Sequence, residues 1–97
     1  MIIKPTRVNA KHILVKTQEQ AKEILSEINS GKSFEDLAKL KSMCPSGKKG
    51  GDLGWFSHGQ MVKEFQKAAF SLKKGQISGP VKTQFGWHLI KVVDTKG

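Results

Sequence analysis

The sequence has 97 residues and a formal net charge of +9, from 17 lysines and arginines against eight aspartates and glutamates. A chain of this length supports one domain with one hydrophobic core, and no apolar run approaches the length of a membrane span, so the composition argues against a multidomain or membrane-spanning protein. Cys44 is the only cysteine, which excludes an internal disulfide, and the three histidines lack the paired spacing of zinc motifs, so we predict neither a metal nor a cofactor.

Lysine supplies almost all of the positive charge, because Arg7 is the sole arginine. Lysine is a strongly hydrated point charge, whereas arginine is the usual residue for bidentate contacts to phosphates and bases. This composition favours a solvated surface. Weak electrostatic contact of the lysines with anionic surfaces, such as acidic proteins, nucleic acid or lipid head groups, is the alternative.

The N-terminal half predicts one strand followed by two helices. Alternating apolar residues indicate a strand over Arg7–Val15. Thr17 is placed to cap the first helix, with Gln20 completing a capping box, and Gly31 is placed to end it. Ser33 is placed to cap the second helix. Apolar side chains recur at helical spacing in both helices: Ala21, Ile24, Leu25 and Ile28 in the first, and Phe34, Leu37 and Ala38 in the second.

Two residues in this half are candidates for chemistry. His12 lies on a mainly apolar face of the first strand, where a histidine is either a hydrogen-bonded core residue or part of a functional site. Cys44 lies in a loop over Ser42–Gly51 that is rich in glycine and polar residues. Lys48 and Lys49 favour a thiolate at this position, and an inert, half-buried thiol is the alternative.

The C-terminal half predicts a strand, a helix and two more strands. In chain order these elements cover Leu53–Ser57, Met61–Phe70, Ile77–Thr83 and Trp87–Val93. Pro80 lies inside the third element and suits an edge position or a strand start. His88 lies on an apolar face of the last strand, so pairing of the first and last strands would place it beside His12. Lys96 and Gly97 are expected to fray.

Glycine-rich turns on both sides of the short strand bend the backbone sharply. They bring Leu53, Met61 and Phe65 close together. An apolar cluster of this kind is either part of the core or the lining of a shallow pocket.

Four segments in sequence resemble the parvulin family of peptidyl-prolyl cis/trans isomerases. They are KHILVKT, CPSGKKGGDLG, GGDLGWFSHGQMVKEFQKAAF and GPVKTQFGWHLIKV, and the likeness extends from about Val8 to Val93. The resemblance implies an α+β fold of order β-α-α-(α)-β-α-β-β. Its four-stranded antiparallel sheet is surrounded by helices, with the first and last strands adjacent at the centre. We expect residues 1–97 to form one such domain, with a core over about 7–94.

The resemblance also implies the site residues. By the parvulin pattern the catalytic residues are His12, Cys44, Thr83 and His88, and the histidines form a hydrogen-bond network that sets the character of Cys44. The same pattern implies a substrate-binding set around the proline ring, in which Phe70 lies behind the pocket and Phe85 forms an apolar side of the groove: Leu53, Met61, Phe65, Phe70 and Phe85.

The implied function is non-covalent rotation about X-Pro peptide bonds in unfolded or flexible segments, which assists protein folding. The loop Lys16–Glu19 lacks the arginines of phosphate-directed parvulins, so no phosphate requirement is expected. The partner is a proline-containing polypeptide, and the chain is expected to be a cytoplasmic monomer or a domain of a longer exported foldase. The alternatives are a non-catalytic module that binds unfolded chains and a basic adaptor for nucleic acid or anionic membrane.

Overall fold

One antiparallel sheet of four strands organises the chain, and its strand order is β2-β1-β4-β3. The computed structural model describes residues 5–97, so residues 1–4 of the predicted domain lie outside the described part. The strands are β1 (Arg7–Val15), β2 (Asp52–Ser57), β3 (Val81–Thr83) and β4 (Gly86–Lys96). The expectation that the first and last strands lie together at the centre is confirmed.

Three α-helices and one 3₁₀ helix surround the sheet: α1 (Gln18–Asn29), α2 (Phe34–Lys41), the 3₁₀ helix Pro45–Lys49 and α3 (Lys63–Ser71). The Thr17 hydroxyl accepts a hydrogen bond from the Gln20 backbone N–H, and the Gln20 side chain accepts from the Thr17 N–H, which confirms the predicted capping box. Ser33 caps α2 through the Asp36 N–H, as predicted. Within residues 5–97, no helix has the length and apolar run that crossing a bilayer requires.

Two predicted boundaries are wrong in an informative way. The third helix begins at Lys63 instead of Met61, because Val62 has an extended backbone and stands outside the helix. The third strand covers only its last three predicted residues. Pro80 directly precedes this strand and has no N–H to donate to a ladder. Upstream of it, the chain meets β4 in an isolated bridge between Ile77 and Lys91. There the Gly75 and Ser78 N–H groups donate to the Val92 and Ile90 carbonyls, and the Val92 N–H donates to the Gln76 carbonyl.

The last strand runs further than predicted. Lys96 pairs with Arg7, and its carbonyl accepts a hydrogen bond from the Thr6 N–H at 2.7 Å. The prediction that Lys96 frays is therefore wrong, because the backbone beside β1 supplies partners up to that residue.

The two faces of the sheet bury different clusters, and the predicted alternation along β1 and β4 is confirmed. One face packs Ile13, Val15 and Leu89 against the helices: Ala21, Ile24, Phe34, Leu37 and Ala38. The other face packs a second cluster against α3: Val8, Ala10, Phe56, Phe65, Ala69, Ile90 and Val92. His12 and His88 continue the second face beyond its apolar part, so the sheet itself presents both rings at the edge of this cluster.

Candidate active site

The two histidines meet across the central strand pair. In the register of β1 and β4, His12 lies opposite Ile90 and Leu14 lies opposite His88, so the histidines are diagonal neighbours on one face. Their Nδ1 atoms are 3.0 Å apart, and their rings stack with centroids 5.2 Å apart at an angle of 17°. Both side chains are buried, with 5% and 4% of their surface exposed. The expectation that adjacent strands place them side by side is confirmed.

A hydroxyl group holds each end of this pair. The Nε2 atom of His12 is 3.1 Å from the Ser46 Oγ, and the Nε2 atom of His88 is 2.7 Å from the Thr83 Oγ1. Thr83 Oγ1 also accepts the Phe85 N–H at 3.2 Å. The result is a chain of hydrogen bonds with the order Ser46, His12, His88, Thr83.

Proton counting limits this chain to two arrangements when both rings are neutral. The Nδ1–Nδ1 contact needs one proton, supplied by either ring. If His88 donates it, its Nε2 accepts from the Thr83 hydroxyl and the His12 Nε2–H donates to Ser46. If His12 donates it, every direction reverses. In both arrangements all four ring nitrogens have a partner.

Burial keeps both rings neutral at pH 7. Burial, and to a smaller extent charge repulsion from the neighbouring His88, lowers the pKa of His12 from 6.5 to about 4. Burial lowers the pKa of His88 as well. The pair therefore provides fixed dipoles and no positive charge, so proton transfer from an imidazolium is not available to this site.

A cleft of about 510 Å³ opens above the histidines, and the predicted pocket residues Leu53, Met61 and Phe65 line it. The Phe65 ring stands edge-on to both imidazoles, with centroid distances of 5.5 Å to His12 and 5.3 Å to His88 and angles of 82° and 81°. An apolar wall and a neutral polar wall therefore meet at a right angle inside the cleft. Its size and its mixed lining suit a small cyclic side chain with an attached peptide group.

The other predicted aromatic residues occupy different layers. Phe85 lines the cleft and leaves 57% of its surface exposed, as expected of a groove wall. Phe70 is not among the lining residues; it packs edge-on to Phe56 at 5.9 Å and stacks on His58 at 4.0 Å. Since Phe56 in turn contacts Phe65, Phe70 supports the wall from behind. Thr83 is likewise a support, because it is buried and reaches the cleft only through His88.

Cys44 lines the cleft, but the histidine network ends on Ser46 and not on its thiol. The loop that carries both residues is fixed against β1. The Met43 N–H donates to the Leu14 carbonyl at 2.7 Å, and the His12 N–H donates to the Gly51 carbonyl at 2.9 Å. Gly51 has a φ of +86°, and a Cβ atom there would lie 2.3 Å from the His12 carbonyl oxygen, so only glycine allows this approach.

Several residues of the site have no distinctive signal in the sequence. Ser46 is the chief of these, and its only sequence signal is a hydroxyl two positions after Cys44 in a turn-rich loop. The remaining lining residues are not distinctive as single residues: Leu14, Met43, Pro45, Gln60 and Val62. Within residues 5–97, no group of three or more histidine, cysteine or acidic side chains is arranged to hold a metal ion.

Comparison with known proteins gives consistent matches. Residues 1–94 match the protein family described as "Rotamase: PPIC-type PPIASE domain". The chain is 56% identical over 90 residues to foldase protein PrsA 1 of Bacillus cereus, which covers 92% of this chain and 32% of that protein. It is 51% identical over 96 residues to the putative peptidyl-prolyl cis-trans isomerase Cbf2 of Campylobacter jejuni, with coverage of 91% and 35%. The chain thus spans about a third of the length of these curated relatives.

Solved structures share the fold over nearly the whole chain. A crystal structure of the peptidylprolyl isomerase PrsA from Bacillus anthracis matches with a TM-score of 0.93 and 48% identity, covering 97% of this chain and 43% of that chain. The solution structure of NmPin, the parvulin of Nitrosopumilus maritimus, matches with a TM-score of 0.83 and 43% identity, covering 92% and 97%. With the family match over residues 1–94, these likenesses establish that the chain belongs to the PPIC-type peptidyl-prolyl isomerases, the parvulin family.

Proposed function

We propose that this chain catalyses cis/trans rotation about X-Pro bonds in unfolded or flexible polypeptide segments and so assists folding. The observation that carries the proposal is the junction in the cleft of the Phe65 wall with the neutral His12–His88 pair. The membership of the family and the likeness to a foldase protein agree with it.

Rotation about an X-Pro bond requires only that the protein supply a site of suitable shape and electrostatics. Rotation about an X-Pro bond takes about tens to hundreds of seconds unaided, because it breaks amide resonance. No bond to carbon or hydrogen has to break. In the proposed mechanism Leu53, Met61 and Phe65 hold the proline ring, and the rest of the substrate chain turns about the bond.

A twisted amide has a less polarised carbonyl than a planar amide. A cleft that is poor in water and in strong donors at this carbonyl therefore favours the twist. His12 and His88 meet this need, because their ring nitrogens are already engaged with each other and with Ser46 and Thr83. Cys44 completes the polar side of the cleft as a group near the amide, and the proposed mechanism is non-covalent.

The test is a protease-free isomerisation assay on a short Ala-Pro peptide, read by NMR exchange between its cis and trans forms. We expect the folded chain to accelerate exchange at substoichiometric concentration. If the peptide binds in the cleft while exchange stays at the uncatalysed rate, the chain is a binding module for unfolded segments and the proposal is wrong. A monomeric state and a cytoplasmic location remain predictions, which sedimentation of the purified chain and cell fractionation test.

A further inference from the structure

A second groove, of about 330 Å³, adjoins the cleft on its Cys44 side. Met43, Cys44 and Pro45 line both spaces, so they form a shared wall. Lys39 and Lys48 line the second groove only. We call it the basic groove. We propose that the basic groove binds an acidic side chain of the substrate polypeptide, two or three residues from the proline; this inference rests on the proposed function.

The charges of the basic groove are available to a ligand. Lys39 and Lys48 are exposed, and no carboxylate within residues 5–97 lies within 4.0 Å of either ammonium group. Other lysines nearby are already paired. Glu35 engages the ammonium groups of Lys11 and Lys91, and Glu27 engages those of Lys32 and Lys41. Glu35 and Glu27 thus neutralise other lysines, and within residues 5–97 Lys39 and Lys48 have no ion-pair partner.

Close packing fixes the spacing between the two helices that carry Lys39 and Lys48. Lys39 lies in the last turn of α2, and Lys48 lies in the 3₁₀ helix. These two helices touch through Gly47, where a Cβ atom would lie 2.8 Å from the Ala38 carbonyl oxygen. The Ser42 N–H also donates to that carbonyl at 3.0 Å. The groove is therefore a built feature between two rigid elements and not the gap beneath a loose loop.

The shared wall indicates what kind of anion binds there. A polypeptide that places its proline against Phe65 has to leave the cleft, and the Met43–Pro45 side leads into the basic groove. Because an extended residue spans about 3.3–3.6 Å, a residue bonded directly to the proline stays inside the cleft, and one further along reaches the lysines. The carbonyl end of α2 carries partial negative charge that opposes an anion, and the two ammonium groups offset it.

A lysine ammonium group attracts any anion with little dependence on its geometry, since it lacks the planar, fixed set of donors of the arginine guanidinium. The expected preference is therefore modest and sensitive to salt. Exposed ion pairs of this kind predict about a two- to fivefold gain in kcat/KM for a glutamate over a glutamine. The gain should disappear at high ionic strength, where the screening length falls to about 3 Å at 1 M salt.

The experiment compares matched peptides that carry one Ala-Pro bond and a single Glu or Gln, scanned over three positions on each side of the proline. We expect the gain on one side of the proline only. The double variant Lys39→Gln/Lys48→Gln should lose the gain from glutamate and should keep the wild-type rate on the peptides that carry Gln. The control Lys22→Gln/Lys73→Gln removes the same charge from two exposed lysines that do not line the groove, and it should keep the gain.

Three results would overturn the inference: equal rates for Glu and Gln peptides, a gain that is equal on both sides of the proline, or an equal loss in both double variants. The last two would mean that net charge alone attracts the peptide. Peptide affinities from NMR titration separate this inference from the proposed function. If no peptide is isomerised, the proposed function is wrong, and a one-sided gain in affinity that requires Lys39 and Lys48 still supports the basic groove.

Discussion

The Nδ1 atoms of His12 and His88 lie 3.0 Å apart, although the residues are 76 positions apart in the chain. Two nitrogens at this distance share one proton, and a second proton would set two donors against each other. Burial adds to the cost of that second proton, because it disfavours the charged imidazolium. The geometry of the pair therefore depends on its being neutral.

Neutrality of the pair predicts how stability depends on pH. The pKa of His12 falls from 6.5 to about 4 on folding, so between these values the unfolded chain binds more protons than the folded chain. Stability should thus be complete above about pH 7 and fall as the pH drops from 6.5 towards 4, by about 2 kcal/mol at pH 5 from His12 alone. Urea unfolding at pH 7.5 and pH 5 measures this change.

The exposed His58 provides the control for that measurement. His58→Gln should leave the difference between the two pH values unchanged, because this ring is outside the network. His12→Asn should reduce the difference. An equal difference in wild type and His12→Asn would mean that other groups cause the acid sensitivity.

The two hydroxyls at the ends of the network should contribute different amounts to the free energy of unfolding. Thr83 is buried and serves both the His88 Nε2 and the Phe85 N–H, whereas Ser46 is only half-buried. Thr83→Val leaves buried polar groups without a partner and should cost about 1–3 kcal/mol of unfolding free energy, whereas Ser46→Ala should cost about 0.5–1.5 kcal/mol. Thermal melts of both variants, with Thr83→Ser as the conservative control, test this order. A larger loss for Ser46→Ala would contradict it.

Substitutions at Phe65 and Phe70 should have different effects on activity, because Phe65 lines the cleft and Phe70 packs behind it. Phe65 is buried in the core and also lines the cleft, so Phe65→Leu should lower stability by about 1–2 kcal/mol and kcat/KM by about tenfold or more. Phe70→Leu should lower stability while leaving kcat/KM per folded molecule within about threefold. Denaturant melts and isomerisation assays on both proteins decide this. Equal losses of activity would place Phe70 in the binding wall.

Residue patterns predicted the parts of this fold that depend on local spacing. Period-two alternation in β1 and β4 gave the faces of His12 and His88 correctly, because strand geometry leaves only two sides. The Thr17 capping box was likewise readable, since its partners lie three residues apart.

Features that depend on contacts between distant residues could not be predicted from local sequence patterns. Ser46 contacts His12 from 34 positions away, and only the folded loop brings them together. The early start predicted for α3 is wrong because Met61 is spaced for a helix with Phe65 but lines the cleft, and the helix begins only at Lys63. The strand predicted from Ile77 begins only at Val81, because Pro80 cannot donate a hydrogen bond to the ladder.

Cys44 distinguishes two mechanisms. Attack by a thiolate on the amide carbonyl would make this residue indispensable. The non-covalent mechanism needs only a polar or anionic group beside the cleft. We expect Cys44→Asp to retain kcat/KM within about tenfold, or roughly 1.4 kcal/mol of barrier. Cys44→Ala should lose more than this but keep measurable activity, because Leu53, Met61 and Phe65 still line the cleft.

Both Cys44 variants should be assayed on one Ala-Pro peptide, with circular dichroism as the check on folding. Mass spectrometry of the wild type during turnover should show no peptide adduct. If both variants are folded and equally inactive, the thiol itself is needed and the mechanism is covalent.

Phosphorylation of the substrate should bring no large advantage. The β1–α1 connection has only Lys16 to offer a phosphate, and the groups that line the cleft are apolar or neutral. We expect a phosphoserine-proline peptide to be isomerised no faster than its unphosphorylated twin in the same NMR assay. A preference of about tenfold, or 1.4 kcal/mol, would show that the cleft has a phosphate contact.

The central position of β1 and β4 in the sheet has a consequence during synthesis of the chain. A ribosome makes His12 first and has to add another 76 residues before His88 exists. Until β4 emerges, β1 lacks its main partner, and neither the stacked imidazoles nor the polar side of the cleft can form. Pairing of such distant segments is slow compared with local helix formation. In a nascent chain the cleft can therefore form only after β4 has been synthesised.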